Sequence, residues 1–304
     1  MARVLVSGAS GMVGSLLVPS LKMAGAQVAR LVRNGTHADV TNEELVPWNP
    51  SQAISPESVS GFDAVIHLAG ESIVGRWTDE KKIRVRESRI PPTAHLAQAL
   101  AQAKNKPEVF ISASAIGYYG SRGDDLLTEE SAPGTGFLAD LAREWEAATA
   151  AAVRAGIRTV QIRTGVVLGA KGGALPKMLP AFKMGLGGKI GTGRQWMSWV
   201  DVNDMVGAIH HILRVDLLQG PVNLVAPKAV TNSEFTRTLA SVLSRPAIFP
   251  IPAFAARLAF GQMADELLLA SQHVEPKRLI ASGYPFRFRD LRSSLKELLQ
   301  RREA

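Results

Sequence analysis

Short unbroken apolar runs along this chain alternate with longer stretches whose apolar residues recur every three or four positions. Arg3 to Ser7 is the first such run; glycines follow at once, then an amphipathic stretch reaching Ala24. A run too short for a helix reads as a strand buried on both faces, and the three-to-four spacing reads as a helix with one face on the core. Gln27 to Val32, Ala64 to Leu68, Val109 to Ser112 and Thr159 to Arg163 repeat the strand signal, while Thr93 to Ala103 and Leu138 to Ala155 repeat the helical one. The alternation predicts an α/β protein with a doubly wound parallel sheet covered by helices on both faces.

The rhythm changes after Arg163. Residues 166–200 form an excursion whose stretch Gly169 to Trp196 is dense in glycine, with prolines and lysines, which predicts a loop-rich, mobile segment beside a substrate cleft rather than another regular unit. A helix resumes near Met205, and Val222 to Val225 reads as a further strand. From Pro227 prolines cluster and the alternation fades, with Phe235 to Leu243 and Leu291 to Gln300 as helices. The expected division is therefore a sheet domain over 1–226 and a smaller, mainly helical lobe over 227–304.

Composition narrows this picture in a few places. The 304 residues are 46% hydrophobic and 20% charged, enough for a large core and against disorder. The N-terminal stretch has a signal-like outline, but Lys22 and the interrupting glycines favour a place in the fold. No window reaches the roughly twenty uncharged apolar residues of a membrane span, so a soluble, cytoplasmic protein without a membrane partner is expected. The absence of cysteine excludes disulfides, thiol nucleophiles and thiolate metal sites. A net charge of +8 favours anionic partners. Charge alone does not choose among nucleotide phosphates, acidic metabolites and nucleic acid; its dispersal along the chain weighs against nucleic acid, a solvated basic surface is the plain alternative, and the oligomeric state stays open.

The first chemistry-bearing feature is Gly8-Ala9-Ser10-Gly11-Met12-Val13-Gly14, between the first strand and first helix. Gly8 permits a tight turn, Gly11 lets the backbone approach a pyrophosphate, and Gly14 lets the helix lie close on the strand; the helix N-terminus supplies N–H donors to the anion. This is the dinucleotide-binding turn of a Rossmann-type sheet. Sites for NAD hold the ribose 2′-hydroxyl with an acidic residue about twenty positions on. Here no Asp or Glu precedes Asp39, and Arg30 and Arg33 occupy the end of the second strand. A guanidinium there pairs with a 2′-phosphate, so the expected cofactor is NADP(H). The alternative for each arginine is a solvated surface cation.

With this turn, several stretches together resemble the extended short-chain dehydrogenase/reductase superfamily, and within it the nucleoside-diphosphate-sugar epimerase-like branch of the YfcH type, over nearly the whole chain. They are His67 to Glu71, Arg76 to Arg89, Ser112 to Gly120, Arg163 to Gly169, Gly193 to Trp199 and Pro276-Lys277-Arg278. The resemblance implies that Leu68, Ala69 and Gly70 line the adenosine or ribose side, and that Ser112, Ala113 and Ser114 lie beside the nicotinamide.

The superfamily's usual proton-transfer device is a serine with a Tyr-x-x-x-Lys pair, in which an ammonium lowers the phenol's pKa. Of the three tyrosines, Tyr118 is followed four residues on by Arg122, Tyr119 by Gly123 and Tyr284 by Phe288, so the pair is absent. What remains is Ser114 to hold a substrate oxygen, Tyr118 or Tyr119 to donate a proton, and Glu71 as an acid or base. Arg163, Arg194 and Gln195 are anchors for a cofactor or an acidic substrate, and Trp196 or Trp199 could clamp a planar one. Each has a plain structural rival: the serines satisfying backbone groups, the aromatics packing, Arg163 closing an ion pair. His210-His211 on a helix point different ways, so no metal site is expected. An NADP-dependent reductase or epimerase on a small anionic substrate is the leading reading, and a non-catalytic NADP(H) sensor the alternative.

Overall fold

The computed structural model describes residues 1–33 and 44–300. Seven parallel strands make the central sheet: β1 (Arg3–Ser7), β2 (Gln27–Arg33), β3 (Glu44–Trp48), β4 (Ala64–His67), β5 (Val109–Ala115), β6 (Arg158–Thr164) and β7 (Gly220–Leu224). Their spatial order is β3-β2-β1-β4-β5-β6-β7. The chain reverses its winding between β1 and β4, so a crevice opens beyond the carboxyl ends of those two strands, where ligands bind in open sheets of this Rossmann type.

Alternation along β1 explains the layering. Val4 and Val6 face a core completed by Leu17 and Leu21 of α1 (Gly14–Met23) and Ile209 and Ile212 of α7 (Val202–Arg214). Leu5, between them, faces the opposite core with Leu96 and Leu100 of α3 (Ile90–Gln102) and Ala152 of α5 (Ala150–Arg154). A fully buried leucine of this kind contributes about 1.5–3 kcal/mol. α2 (Asp79–Glu87) and α4 (Phe137–Ala147) both pack against α3, and α4 also packs against β5.

The excursion over 166–200 differs from its expectation. It holds the nine-residue helix α6 (Leu175–Lys183), and its ends, Val166–Leu168 and Trp199–Asp201, pair in parallel. Leu175, Leu179 and Phe182 of α6 share one core with Trp199, with Phe235 and Leu239 of α8 (Asn232–Leu243), and with Leu295 and Leu298 of α11 (Leu291–Gln300). The helix starts on Leu175-Pro176, where a proline without N–H is tolerated, and its buried side chains supply the order that composition hid. The short helices α9 (Ala253–Phe260) and α10 (Lys277–Ala281) complete the C-terminal part. Buried carboxylates fasten that part to α7: Asp204 accepts from Tyr284 Oη and from the amides of Arg287 and Phe288, and Asp201 accepts from Ser294 Oγ at 2.6 Å.

Candidate functional site

The glycine turn is shaped by three close approaches. Gly8 has φ +70°, and a Cβ there would lie 2.7 Å from the Leu68 carbonyl carbon; at Gly14 it would lie 2.3 Å from Gly8 O. Gly11 N donates to Gly8 O at 3.0 Å, closing the turn. α1 begins with no side-chain cap. The amides of Met12, Val13 and Gly14 find no acceptor among the described residues, so they face an open cradle beside Ser10. Such a cradle fits the pyrophosphate of a dinucleotide. The Met12 side chain is clamped from above by Gly169, Gly172 and Gly173, each of whose Cβ positions would fall within about 3.0 Å of it. The glycine-rich excursion is thus the far wall of the turn.

On β2, Arg30 is half-buried and registers with Val6, while Arg33 ends the strand, exposed, opposite Trp48. Asp39, the first acidic residue, lies outside the described residues. At the end of β4, His67 Nδ1 and Ser7 Oγ are 2.6 Å apart, and the ring stands edge-on to Trp48 at 6.0 Å. Complete burial pushes His67 down to about 4, so it is neutral. Leu68 and Ala69 form the floor against Gly8. Gly70 sits tightly under Arg89, whose guanidinium carbon lies 3.2 Å from the position a Cβ would take. Arg89 is 9% exposed, donates to Glu71 O at 2.7 Å and Val85 O at 3.0 Å, and is pushed by burial to about 10.

Glu71, expected as an acid or base, is instead bound into ion pairs with Lys81 and Arg84 of α2. The hydrogen bond from Lys81 above all lowers its carboxyl below the usual range, and the pair ties the loop after β4 to α2.

Beyond β5 the polar groups converge on a residue that sequence reasoning missed, Glu146 near the end of α4. Ser114 Oγ donates to Glu146 Oε1 at 2.7 Å, and Arg163 meets the same carboxylate in a fork, Nε to Oε1 at 2.7 Å and Nη2 to Oε2 at 2.8 Å. Arg163 also donates from Nη1 to Tyr119 Oη at 3.0 Å, and Tyr119 donates to Asn223 Oδ1 at 2.7 Å. Burial works against the Arg163 charge, but the bonds and charge of Glu146 more than offset it and hold the guanidinium above its ordinary value. Arg163, at 3% side-chain exposure, closes an ion pair rather than reaching a ligand as an anchor.

Tyr119 is fully buried, and that burial pushes its phenol up to about 12; with both lone pair and proton engaged, it cannot serve a substrate. Tyr118 remains half-exposed, its ring 3.5 Å from the Arg163 guanidinium carbon and edge-on to Tyr119. Ser112 is fully buried, its hydroxyl near the Ala113 carbonyl, and Ala113 packs on the core under α1 and α7.

Of the expected substrate anchors, Arg194 alone is exposed and has no ion pair among the described residues. Gln195 is buried, its amide donating to Ile190 O and Leu268 O, each at 3.0 Å. It braces a loop. Trp196 stacks on His273 at 4.0 Å and donates to Asp124 at 2.9 Å. Trp199 is sealed in the core with Nε1 on Lys228 O, so it clamps nothing. His210 turns to Ser20 on α1 and His211 to Ser282.

The C-terminal part also closes over this region. Glu266 accepts from the amides of Phe137 and Leu138 at 3.1 and 2.8 Å, capping α4, whose own N-cap, Gly136, offers no side chain. Gln272 donates to Ile116 O and Gly120 O. These partners lie more than a hundred residues apart, so no spacing pattern signals them.

A model of the NAD dependent epimerase/dehydratase family matches residues 4–224, and a domain of unknown function, DUF1731, matches residues 251–298. The chain is 42% identical over 287 residues to epimerase family protein MT2273 of Mycobacterium tuberculosis, covering 94% of this chain and 93% of that one. It is 37% identical to epimerase family protein YfhF of Bacillus subtilis, covering 99% of both. The crystal structure of human epimerase family protein SDR39U1 (isoform 2) with NADPH is similar throughout, with a TM-score of 0.87 at 32% identity, covering 98% of this chain and 99% of that one.

Proposed function

The chain belongs to the NAD dependent epimerase/dehydratase family, and from that premise we propose that it is an NADP(H)-dependent oxidoreductase or epimerase acting on a small anionic substrate. The observation that carries the cofactor reading is the open cradle of Met12, Val13 and Gly14 amides with Arg33 at the end of β2, where a carboxylate would select NAD. The relative crystallised with NADPH supports the same reading. Arg33, with Arg30 behind it, holds the 2′-phosphate; Leu68, Ala69 and Gly70 border the ribose; Ser112 to Ser114 border the nicotinamide.

When bound, the nicotinamide supplies hydride transfer. The protein's own contribution is to hold an oxygen and move a proton. Because Ser114 gives its proton to Glu146, its oxygen is free to accept from a substrate hydroxyl, with the Glu146 carboxylate as the base behind it. Tyr118, the one phenol at the site not sealed in, is the donor, and Arg194 at the rim meets the substrate's negative charge. Calorimetry with NADPH and NADH tests the cofactor assignment: NADPH binds more tightly, and Arg33→Met weakens it roughly ten- to a hundred-fold, as loss of a charge-assisted contact does, while NADH is unaffected. No heat with either dinucleotide overturns the proposal.

One observation favours a second reading, a sensor that binds NADP(H) without turnover. The Tyr-x-x-x-Lys pair is missing, and Tyr119 is locked between Arg163 and Asn223. Loss of NADPH absorbance on any member of a carbonyl and nucleotide-sugar panel, abolished in Ser114→Ala with NADPH affinity unchanged, decides for the enzyme. Tight binding with no turnover decides for the sensor.

A further inference from the structure

A concavity lies beside Lys189, between the start of α8 and the segment leading into α9. Its volume is about 390 Å³, within the range of small-molecule pockets, and its wall includes Lys189, Ser233, Thr236, Arg237, Ile248 and Pro250. Three of the four polar members, Lys189, Ser233 and Thr236, have no side-chain partner among the described residues, and Arg237 has only the nearby charge of Glu234. Neither Lys189 nor Arg237 forms an ion pair among the described residues, and the hydroxyls of Ser233 and Thr236 have no hydrogen-bond partner among them. Thr236 is the telling one, because only 4% of it is exposed and helical threonines so enclosed normally return their hydroxyl to the backbone.

Charge follows the same line. The stretches that wall the pocket, 183–194 and 235–250, contain no acidic residue. Glu234, in the first turn of α8, caps Thr231, accepting from its amide at 2.7 Å, and its carboxylate also feels the charge of Arg237. The ribbon over 247–250 adds an apolar lining, with Ile248 71% exposed, and it is ordered by Phe249 N to Gly187 O and Ile251 N to Lys189 O. Hydroxyls and a cation from α8, with Lys189 beside an ordered apolar ribbon, suit one kind of guest.

We infer that this pocket binds a small oxyanion, a phosphate monoester or carboxylate, that carries a compact apolar group. The anion sits between Lys189 and Arg237 with Ser233 and Thr236 donating to it, and the apolar group lies against Ile248 and Pro250. The site is separate from the glycine turn and does not depend on what that turn binds.

Calorimetry on the full chain with NADPH present, titrating phenyl phosphate, benzoate and inorganic phosphate, tests the inference. Phenyl phosphate or benzoate binds more tightly than inorganic phosphate, and whichever is tighter identifies the head group. The variant K189M/R237M weakens that binding at least about ten-fold, and Thr236→Val weakens it further, with NADPH affinity and Tm unchanged in both. No binding of either aromatic anion at millimolar concentration overturns the site. Equal binding in K189M/R237M places the ligand elsewhere, and inorganic phosphate binding as well as phenyl phosphate refutes the apolar half.

Discussion

Replacing Arg163 by methionine tests whether the cluster behind Ser114 is held together by charge. The substitution removes both arms of the fork to Glu146 and the bond to Tyr119, at 2.7, 2.8 and 3.0 Å. It leaves a carboxylate at 13% side-chain exposure with only Ser114 for company. Stranding one member of a buried pair costs about 3–5 kcal/mol. For a chain of this size, at roughly 2 °C per kcal/mol, the expected fall in Tm is about 6–10 °C by differential scanning calorimetry at pH 7. Adding Glu146→Gln takes away the stranded charge yet keeps an oxygen for Ser114, so the double variant regains about half or more of the loss. An Arg163→Met protein melting within about 1 °C of the parent, or single effects that simply add, would refute the coupling.

Acid sensitivity should trace in part to His67. Its folded value, about 4, lies below the ordinary 6.5, so its contribution is complete above pH 6.5 and declines as pH falls toward 4, by about 3 kcal/mol in all; His67→Asn flattens that part of the stability–pH curve, and equal slopes in the two proteins would argue against it. Gly14→Ala places a methyl 2.3 Å from Gly8 O and 2.6 Å from Ala9 Cα, and NADPH binding measured by calorimetry is expected to disappear; retained affinity contradicts the geometry assigned to the turn. Tyr119→Phe leaves Asn223 Oδ1 and Arg163 Nη1 short of a partner, at about 1–3 kcal/mol, and lowers Tm without changing NADPH affinity; a change in affinity without one in Tm would return Tyr119 to direct ligand contact.

What the sequence made legible were the features whose signal is local. β1, β4 and β5 each carry a short apolar run, Val4 to Val6, Ala64 to Ile66 and Val109 to Ile111, and the glycine turn follows β1 directly. The helix α2 was hidden because only Val85 among its nine residues is buried, so no apolar period exists to read. β3 carries Glu44 and Pro47 and lies at the sheet edge, where a missing N–H is tolerated. In the site, Arg163 carried a usable hint, since a cation at the end of an apolar strand needs a partner. Its partner Glu146, on the amphipathic α4, reads in sequence like any solvated carboxylate. Asn223 was equally silent, 104 positions from the tyrosine it meets.

The cap that Glu266 places on α4 sets an order on maturation during synthesis. When α4 leaves the ribosome its first two amides have water for company, and the sheet can assemble around β1 to β6 in that condition. The segment after β5 and the start of α4 reach their final form only after another hundred and more residues have emerged and Glu266 and Gln272 have folded back. Chains released early would therefore carry the glycine turn with the start of α4 still uncapped.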